Sequence, residues 1–481
     1  MKRGRIMIKL KAPSEWQTSG IERRSYYVYF TGQSIINSFV GSCLTTYFVL
    51  LGLDPLKVAA VMLAVKIWDA VNDAVFGVLF DRIKFKSGNK CLPWLKISLF
   101  FIPIVSIFMF AIPDSISESA QLLWFAITYL LWDTAYTLCD VPIYSVITYM
   151  TDNMDERNGM MAYKNLWGSV GGTLSPMIAT FLVSERVGSN YITAAIISAV
   201  LAFATMVPAC INVKERHPAT VTEESFTIKM MFTYLVKNKY LLIYYLGVFF
   251  YSSVNYVGAL NLLASYYLFH DSLFTTIVGI FGTPFGLAAN LLIPKLLRKY
   301  DKMMMFRICA VAVVVSGILM WLFGYKNPVY FVIFSVLRTL PTSAMGVMLF
   351  MFTPDCAEYG QYKSNIEAKG ITFAIQTFVI KLSGAVSSSL SVGLLGLPIV
   401  GWVTVKADNF EQLAAMGITQ TPQALDAFWF IYAMIPTLGY LAAYIAWRFY
   451  NLKDNDVQIM AQCNSGAITR EEAESKLSRK Y

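Results

Sequence analysis

The amino-acid sequence predicts an all-α membrane protein of twelve transmembrane helices arranged as two six-helix bundles. Three observations carry that prediction. Long apolar segments recur along the whole chain, basic residues gather on alternate connections, and one polar break divides the chain near its middle. Of 481 residues, 56% are hydrophobic, 15% aromatic and 14% charged, where a soluble globular chain carries about a quarter charged residues.

The apolar segments fall at residues 26–51, 56–80, 92–112, 121–150, 160–183, 190–213, 238–269, 274–294, 303–324, 328–352, 370–400 and 425–450. Each is long enough to cross about 30 Å of hydrocarbon at about 1.5 Å per residue. Lys2, Arg3, Arg5, Lys9, Lys11, Arg23 and Arg24 precede the first segment. Further basic groups follow the second (Arg82, Lys84, Lys86, Lys90), the sixth (Lys214, Arg216, Lys229, Lys237, Lys239) and the eighth (Lys295, Arg298, Lys299, Lys302). The intervening connections hold few, such as Arg186, Lys326 and Lys406. Positive loops stay in the cytoplasm, so both termini are expected inside the cell membrane. The expected organisation is a cytoplasmic segment 1–25, a bundle 26–213, a cytoplasmic loop 214–237, a bundle 238–450 and a cytoplasmic tail 451–481, either helical or disordered.

Several function classes are disfavoured. The seven cysteines are scattered with neither CxxC pairs nor metal spacing, and the two histidines lie near connections. The net charge of +9 is explained by the alternate loops, so no nucleic-acid partner is expected. The polar, basic N-terminus lacks the apolar core of a cleavable signal peptide. No catalytic dyad, metal motif or nucleotide loop is visible, so an enzyme is not expected. The partners expected are a small-molecule solute and membrane lipids, with a functional monomer.

The stretch "VKIWDAVNDAVFGVLFDR" (65–82) raises the chemical question, because it is apolar yet carries Lys66, Asp69 and Asp73. The two acids are spaced i,i+4 and share a helix face. The fourth segment repeats the pattern, with Asp133, Tyr136, Thr137 and Asp140 on one stripe. The eleventh carries Gln376 and Thr377 one turn before Lys381, and the tenth carries Arg338. Asp73, Asp140 and Lys381 lie eight to eleven residues from their segment ends. That is roughly 12–17 Å deep, close to the bilayer middle. Each charge would cost at least about 2.5–3.5 kcal/mol on a lipid-facing helix, so they are expected to face one shared polar interior.

Ion pairing that merely holds a bundle together is the plainer account. Carboxylates on two helices, with Asn72 and Thr137 beside them, exceed that need. Asp69, Asn72, Asp73 and Thr137 can form the oxygen cage that a hard cation prefers. Tyr136 and Tyr144 flank Asp140 and can stack on a sugar ring. Lys66, Asp133 and Arg338 are read as coupling or structural charges. Gly77, Asp81 and Arg82 form a cytoplasmic turn suited to gating. The glycines of "GSVGG" (168–172) suit close helix approach better than phosphate binding.

The stretches "WDAVND" (68–73), "YTLCDVPIYS" (136–145), "QTFVIK" (376–381) and "PDCAEYGQYK" (354–363) resemble the glycoside–pentoside–hexuronide:cation symporters, melibiose-permease type, of the major facilitator superfamily. The resemblance covers essentially the full length and implies the major facilitator fold. It implies cation-coupled sugar symport by alternating access, with no cofactor beyond a coupling Na⁺, Li⁺ or H⁺. By resemblance, Asp69, Asn72 and Asp73 bind the cation with Thr137 adjacent; if it is Na⁺, Asp69 and Asp73 are its carboxylate ligands. Asp140 contacts the sugar, Tyr144 stacks on it, Gln376 and Thr377 line the site, and Lys381 couples the two ligands. The chain departs from the pattern on the first helix, where "TGQSIIN" places Gln33 and Ser34 at the expected Lys-Asp pair. It departs also near Gly346, where an aromatic is expected, and on the fifth helix, where Lys164 or Asn165 stands for an arginine. A lysolipid or other amphipath symporter, or a membrane sugar sensor, are the alternatives.

Overall fold

The computed structural model describes residues 16–83, 85–216, 228–325, 327–364 and 369–481. Among the expected site residues, Asp73, Gly77, Asp81 and Arg82 fall outside the described side chains. The described chain is almost wholly helical and groups into two compact units, Met1–Leu44 with Val71–Thr222 and Thr45–Ala70 with Glu223–Tyr481.

The first unit contains most of α1 (Gly20–Leu50) and the second half of α2 (Pro55–Arg82), with α3 (Leu92–Met109), α4 (Glu118–Met150), α5 (Met154–Val183) and α6 (Tyr191–Asn212). Polar residues in the short connections start the helices. Ser117, Asn153 and Asn190 accept backbone N–H groups at the heads of α4, α5 and α6. Cys91 cannot cap α3 with its side chain. The carboxylate of Glu215 does so from 124 residues away, accepting from the N–H groups of Lys90, Cys91 and Leu92 at 2.7–2.9 Å. The "GSVGG" stretch serves close helix approach: a Cβ at Gly171 would stand 2.2 Å from the carbonyl oxygen of Thr31. Around that crossing of α1 and α5, Thr31 donates to the carbonyl of Trp167 at 3.0 Å and Ser175 to that of Ile35 at 2.8 Å.

The second unit holds α7 (Ile228–Lys237), α8 (Lys239–Ser252), α9 (Val257–Phe269), α10 (Phe274–Leu296), α11 (Lys302–Phe323) and α12 (Pro328–Met348). A 3₁₀ turn (Leu349–Met351) then leads into α13 (Phe352–Ser364), α14 (Lys369–Gly393), α15 (Phe410–Ala415) and α16 (Pro422–Trp429). A π-turn (Phe430–Met434), α17 (Ile435–Trp447), α18 (Asp454–Asn464) and α19 (Arg470–Lys476) complete it. Residues 45–70 belong here through specific bonds. Thr45 and Ser391 hydroxyls meet at 2.8 Å, Ser389 donates to the carbonyl of Ala59 at 2.9 Å, and Ala407 donates to that of Leu50 at 2.7 Å.

Ten of the described helical stretches are long and apolar enough to cross a membrane. α1 and α2, at 31 and 28 residues, also have the length, with Gln33, Lys66 and Asp69 making them more polar. Two segments differ from expectation, and the tail takes the helical form of its two expected alternatives. The segment expected at 238–269 is interrupted between Ser252 and Val257. The segment expected to stop at 352 continues as α13, because Pro354 falls in that helix's first turn, where a missing N–H costs nothing. The tail beyond Tyr450 forms two helices against α13. Asn464 donates to Glu358 at 2.8 Å, and Asp456 accepts from the Tyr481 hydroxyl at 2.5 Å. Tyr481 also lies edge-on to the ring of Tyr240.

Candidate functional site

In the first unit the site is built around Asp140 on α4. Gln33 of α1, buried at 5% exposure, donates its amide Nε2–H to Asp140 Oδ1 at 2.7 Å. Ser34, the next residue, is half-buried. Of the two residues aligned with the expected arginine, Lys164 is buried and Asn165 exposed. The Lys164 ammonium stands 4.0 Å from the ring centre of Tyr144 and 4.7 Å from that of Phe30. Those rings meet edge to face at 5.4 Å. Such contacts contribute about 0.5–2 kcal/mol each, more when desolvated. The cation therefore rests on aromatic faces and is attracted by the Asp140 carboxylate, which also accepts from a neutral amide. Phe30 was not apparent from sequence as a site residue; its one signal is that it lies three residues before Gln33, one turn back on the same face.

The neighbouring turn of α4 faces α2. Asn72, buried, donates from Nδ2 to the Thr137 hydroxyl at 3.1 Å, and Thr137 donates to the carbonyl of Asp133 at 3.3 Å. Asp133 is 3% exposed. Tyr136 stacks on Trp132 at 5.4 Å, and the indole of Trp132 donates to Ser106 at 3.1 Å. Asn72 and Thr137, two of the four expected cage residues, thus touch within this unit.

The second unit brings together another pair. Lys381 Nζ of α14 stands 3.5 Å from Asp69 Oδ1 of α2, with both side chains part-buried. Lys66 lies one turn before Asp69 and is half-buried. Gln376 is engaged by its own unit: its Oε1 accepts from Thr353 at 2.5 Å and from Tyr245 at 3.3 Å. Thr377 is exposed and donates to the carbonyl of Phe373 at 3.3 Å. The two residues holding Gln376 carry no sequence signal, since Tyr and Thr are common in these helices. Arg338 opens onto a cleft of about 570 Å³ lined by residues of this unit, Gly346 among them.

Apolar helices of spanning length, with buried acids and cations held by partners on other helices, define a multi-pass membrane protein that handles polar solutes inside its helices. The family model described as MFS/sugar transport protein matches residues 29–454, and the chain belongs to that family. It is 24% identical over 454 residues to an isoprimeverose transporter of Lactiplantibacillus pentosus, covering 92% of this chain and 90% of that one. It is 22% identical over 421 residues to the putative glycoside/cation symporter YagG of Escherichia coli (strain K12), covering 85% and 87%. Among solved structures, the nucleoside transporter NupG superposes with a TM-score of 0.58 at 16% identity, over 89% of this chain and 99% of that one. The fold is that of the major facilitator superfamily, and the family is one of transporters, not enzymes.

Proposed function

We infer that this chain is a symporter that couples uptake of a sugar or glycoside to a cation gradient by alternating access, in the cell membrane with both termini cytoplasmic. Relatives named for isoprimeverose, lactose, raffinose and glucuronide transport support the sugar class. One observation carries the coupling: an intramembrane acid, Asp69, faces an intramembrane ammonium, Lys381, at 3.5 Å.

A buried carboxylate needs a positive neighbour, and here the chain supplies its own. A Na⁺, Li⁺ or H⁺ arriving at Asp69 takes over that role and releases Lys381. Asp73, Asn72 and Thr137 are proposed to complete the oxygen set for a hard cation. The sugar is proposed to sit at Asp140, whose carboxylate accepts hydroxyl protons, with Tyr144 offering a ring face. A cation that improves sugar binding must be bound more tightly by the sugar-loaded form in equal measure.

Purified protein in liposomes, given imposed Na⁺, Li⁺ or H⁺ gradients and labelled glycosides, tests the reading. Asp69→Asn is expected to abolish gradient-driven accumulation while sparing downhill exchange. Full accumulation by that variant would sink the coupling role. In equilibrium sugar binding, Lys381→Ala and Asp69→Asn are expected to be non-additive by about 0.5–3 kcal/mol, as substitutions of residues in contact are.

A further inference from the structure

The end of the first unit where α1 begins and α6 finishes holds a recess that none of the sites above uses. It is a cleft of about 470 Å³ whose walls include Ser19 and Glu22 at the head of α1 and Lys214 and Arg216 just past α6. The last turn of an apolar spanning helix such as α6 lies at the level of the lipid headgroups. The acid in the cleft is already satisfied. Glu22 is buried, accepts from the Ser19 N–H at 2.7 Å, and takes Arg216 Nη2 on both oxygens at 2.7 and 2.9 Å. Glu215, between the two basic residues, is turned to the head of α3. The cations are less fully used. Arg216 Nη1 reaches only carbonyl oxygens at 3.4 and 3.5 Å, the outer limit of a hydrogen bond, and its side chain stays 31% exposed. Lys214 is exposed, and among the described residues it makes no ion pair.

Cations alone would attract any soluble anion, and the apolar surface beside them decides the class of ligand. Ile21 and Ile211 also line the cleft, yet they are 66% and 72% exposed. Ile211 ends a stripe on the outer face of α6 that runs through Ile196, Val200 and Ala204, all exposed. The stripe leads from the hydrocarbon to the basic residues without a polar break. Lys96 of α3 adds a third cation on the same side of the unit. It is exposed, it begins one turn inside its helix, and it acts electrostatically on Cys210, the neighbour of Ile211. A lysine there lays its stem on apolar surface and sends its ammonium to the headgroup level. A phosphodiester with a hydrocarbon chain attached satisfies both surfaces at once, as basic pockets between membrane helices do. The exposed Ser19 hydroxyl, which accepts from the Glu22 N–H at 3.2 Å, keeps its proton for a headgroup oxygen.

We propose that this cleft holds the headgroup of an anionic phospholipid, its phosphate against Lys214 and Arg216 and an acyl chain along the exposed stripe of α6. The proposal rests on the membrane-spanning fold and uses neither the sugar nor the coupling cation. Native mass spectrometry of the full chain in mild detergent, titrated with dioleoylphosphatidylglycerol or dioleoylphosphatidylcholine, reads the affinity for the first bound lipid. Wild type is expected to prefer phosphatidylglycerol by about tenfold or more, since each basic group beside an anionic lipid contributes about fivefold. Lys214→Gln should cut that preference by about fivefold. Lys299→Gln, at an exposed lysine of the second unit, should leave it unchanged. Glycerol phosphate, the headgroup phosphate without chains, should leave lipid binding unchanged at equal concentration. Equal affinity of wild type for the two lipids overturns the proposal without using any variant. An undiminished preference in Lys214→Gln overturns it too, and so does an equal loss in Lys299→Gln, which would reduce the effect to general surface charge. Displacement of the lipid by glycerol phosphate would make the cleft a site for soluble phosphates and would likewise overturn it. No gradient, sugar or Asp69 variant enters these measurements, so failure of the coupling reading and failure of this one remain separable.

Discussion

In the first unit an acid meets a neutral donor at close range: Asp140 accepts from Gln33, and Lys164, which its carboxylate attracts, rests on the rings of Tyr144 and Phe30. In the second unit an acid meets a cation, Asp69 beside Lys381, and a further cation, Arg338, opens onto a cavity. The contrast is chemical. An amide donor with the Lys164 ammonium attracting from farther off leaves the Asp140 carboxylate open to hydroxyl donors, whereas an ammonium at 3.5 Å competes directly with any cation that arrives at Asp69. The first arrangement suits a polyhydroxylated solute; the second suits exchange of one cation for another.

The largest effect that would break this comparison is at Asp140. Asp140→Asn removes the charge but keeps the shape and is expected to weaken sugar binding roughly tenfold to a hundredfold, the worth of about 1.5–3 kcal/mol in a hydrogen bond to an ion. Equilibrium sugar binding measures it, and a change under twofold would remove the acid from the sugar site. A smaller effect sharpens the role of Lys164. Lys164→Met should cost about fivefold in the same assay, near 1 kcal/mol, while Lys164→Arg retains the ring contacts and most of the affinity. A loss equal in both variants would mark a purely steric role.

The smallest effect lies outside the membrane, in the docked tail. Burial pushes the Asp456 carboxyl up, but hydrogen bonds from Ser478 and Tyr481 outweigh it and hold the group below its usual 3.8. A carboxylate lowered by folding contributes stability above its unfolded value and loses it as pH falls through the lower folded value. Hydrogen exchange across α18 and α19 should therefore stay slow at pH 5 and quicken on acidification below 3.8. Asp456→Asn should exchange faster at neutral pH and show little further change on acidification. If the wild-type tail were as protected under strong acid as at neutrality, the carboxylate would not be what docks it.

Much of this was legible before any coordinates. An aspartate inside an apolar run stands out because burying it is costly, so Asp69, Asp140 and Lys381 were visible as site candidates. "GSVGG" was visible because only hydrogen at Cα lets two helix backbones touch, as at Gly171 and Thr31. Phe30 was hidden among 33 phenylalanines. Gln376 read as a residue lining the sugar site, while Thr353 and Tyr245 hold its oxygen. The gap after Ser252 lies inside an apolar stretch, where hydropathy gives no sign of a bend.

By itself, then, the sequence settled the class of protein, the apolar segments that can cross a lipid layer and the costly charges placed within them. Those properties are local: they depend on runs of side chains and on the expense of a charge in hydrocarbon. Only the tertiary structure decided partners. It paired Asp140 with an amide and Asp69 with an ammonium, chose Lys164 over Asn165, and joined residues 45–70 to the second unit. The physical reason is that a partner is set by which faces of distant helices pack together, and no period or composition along one segment encodes that.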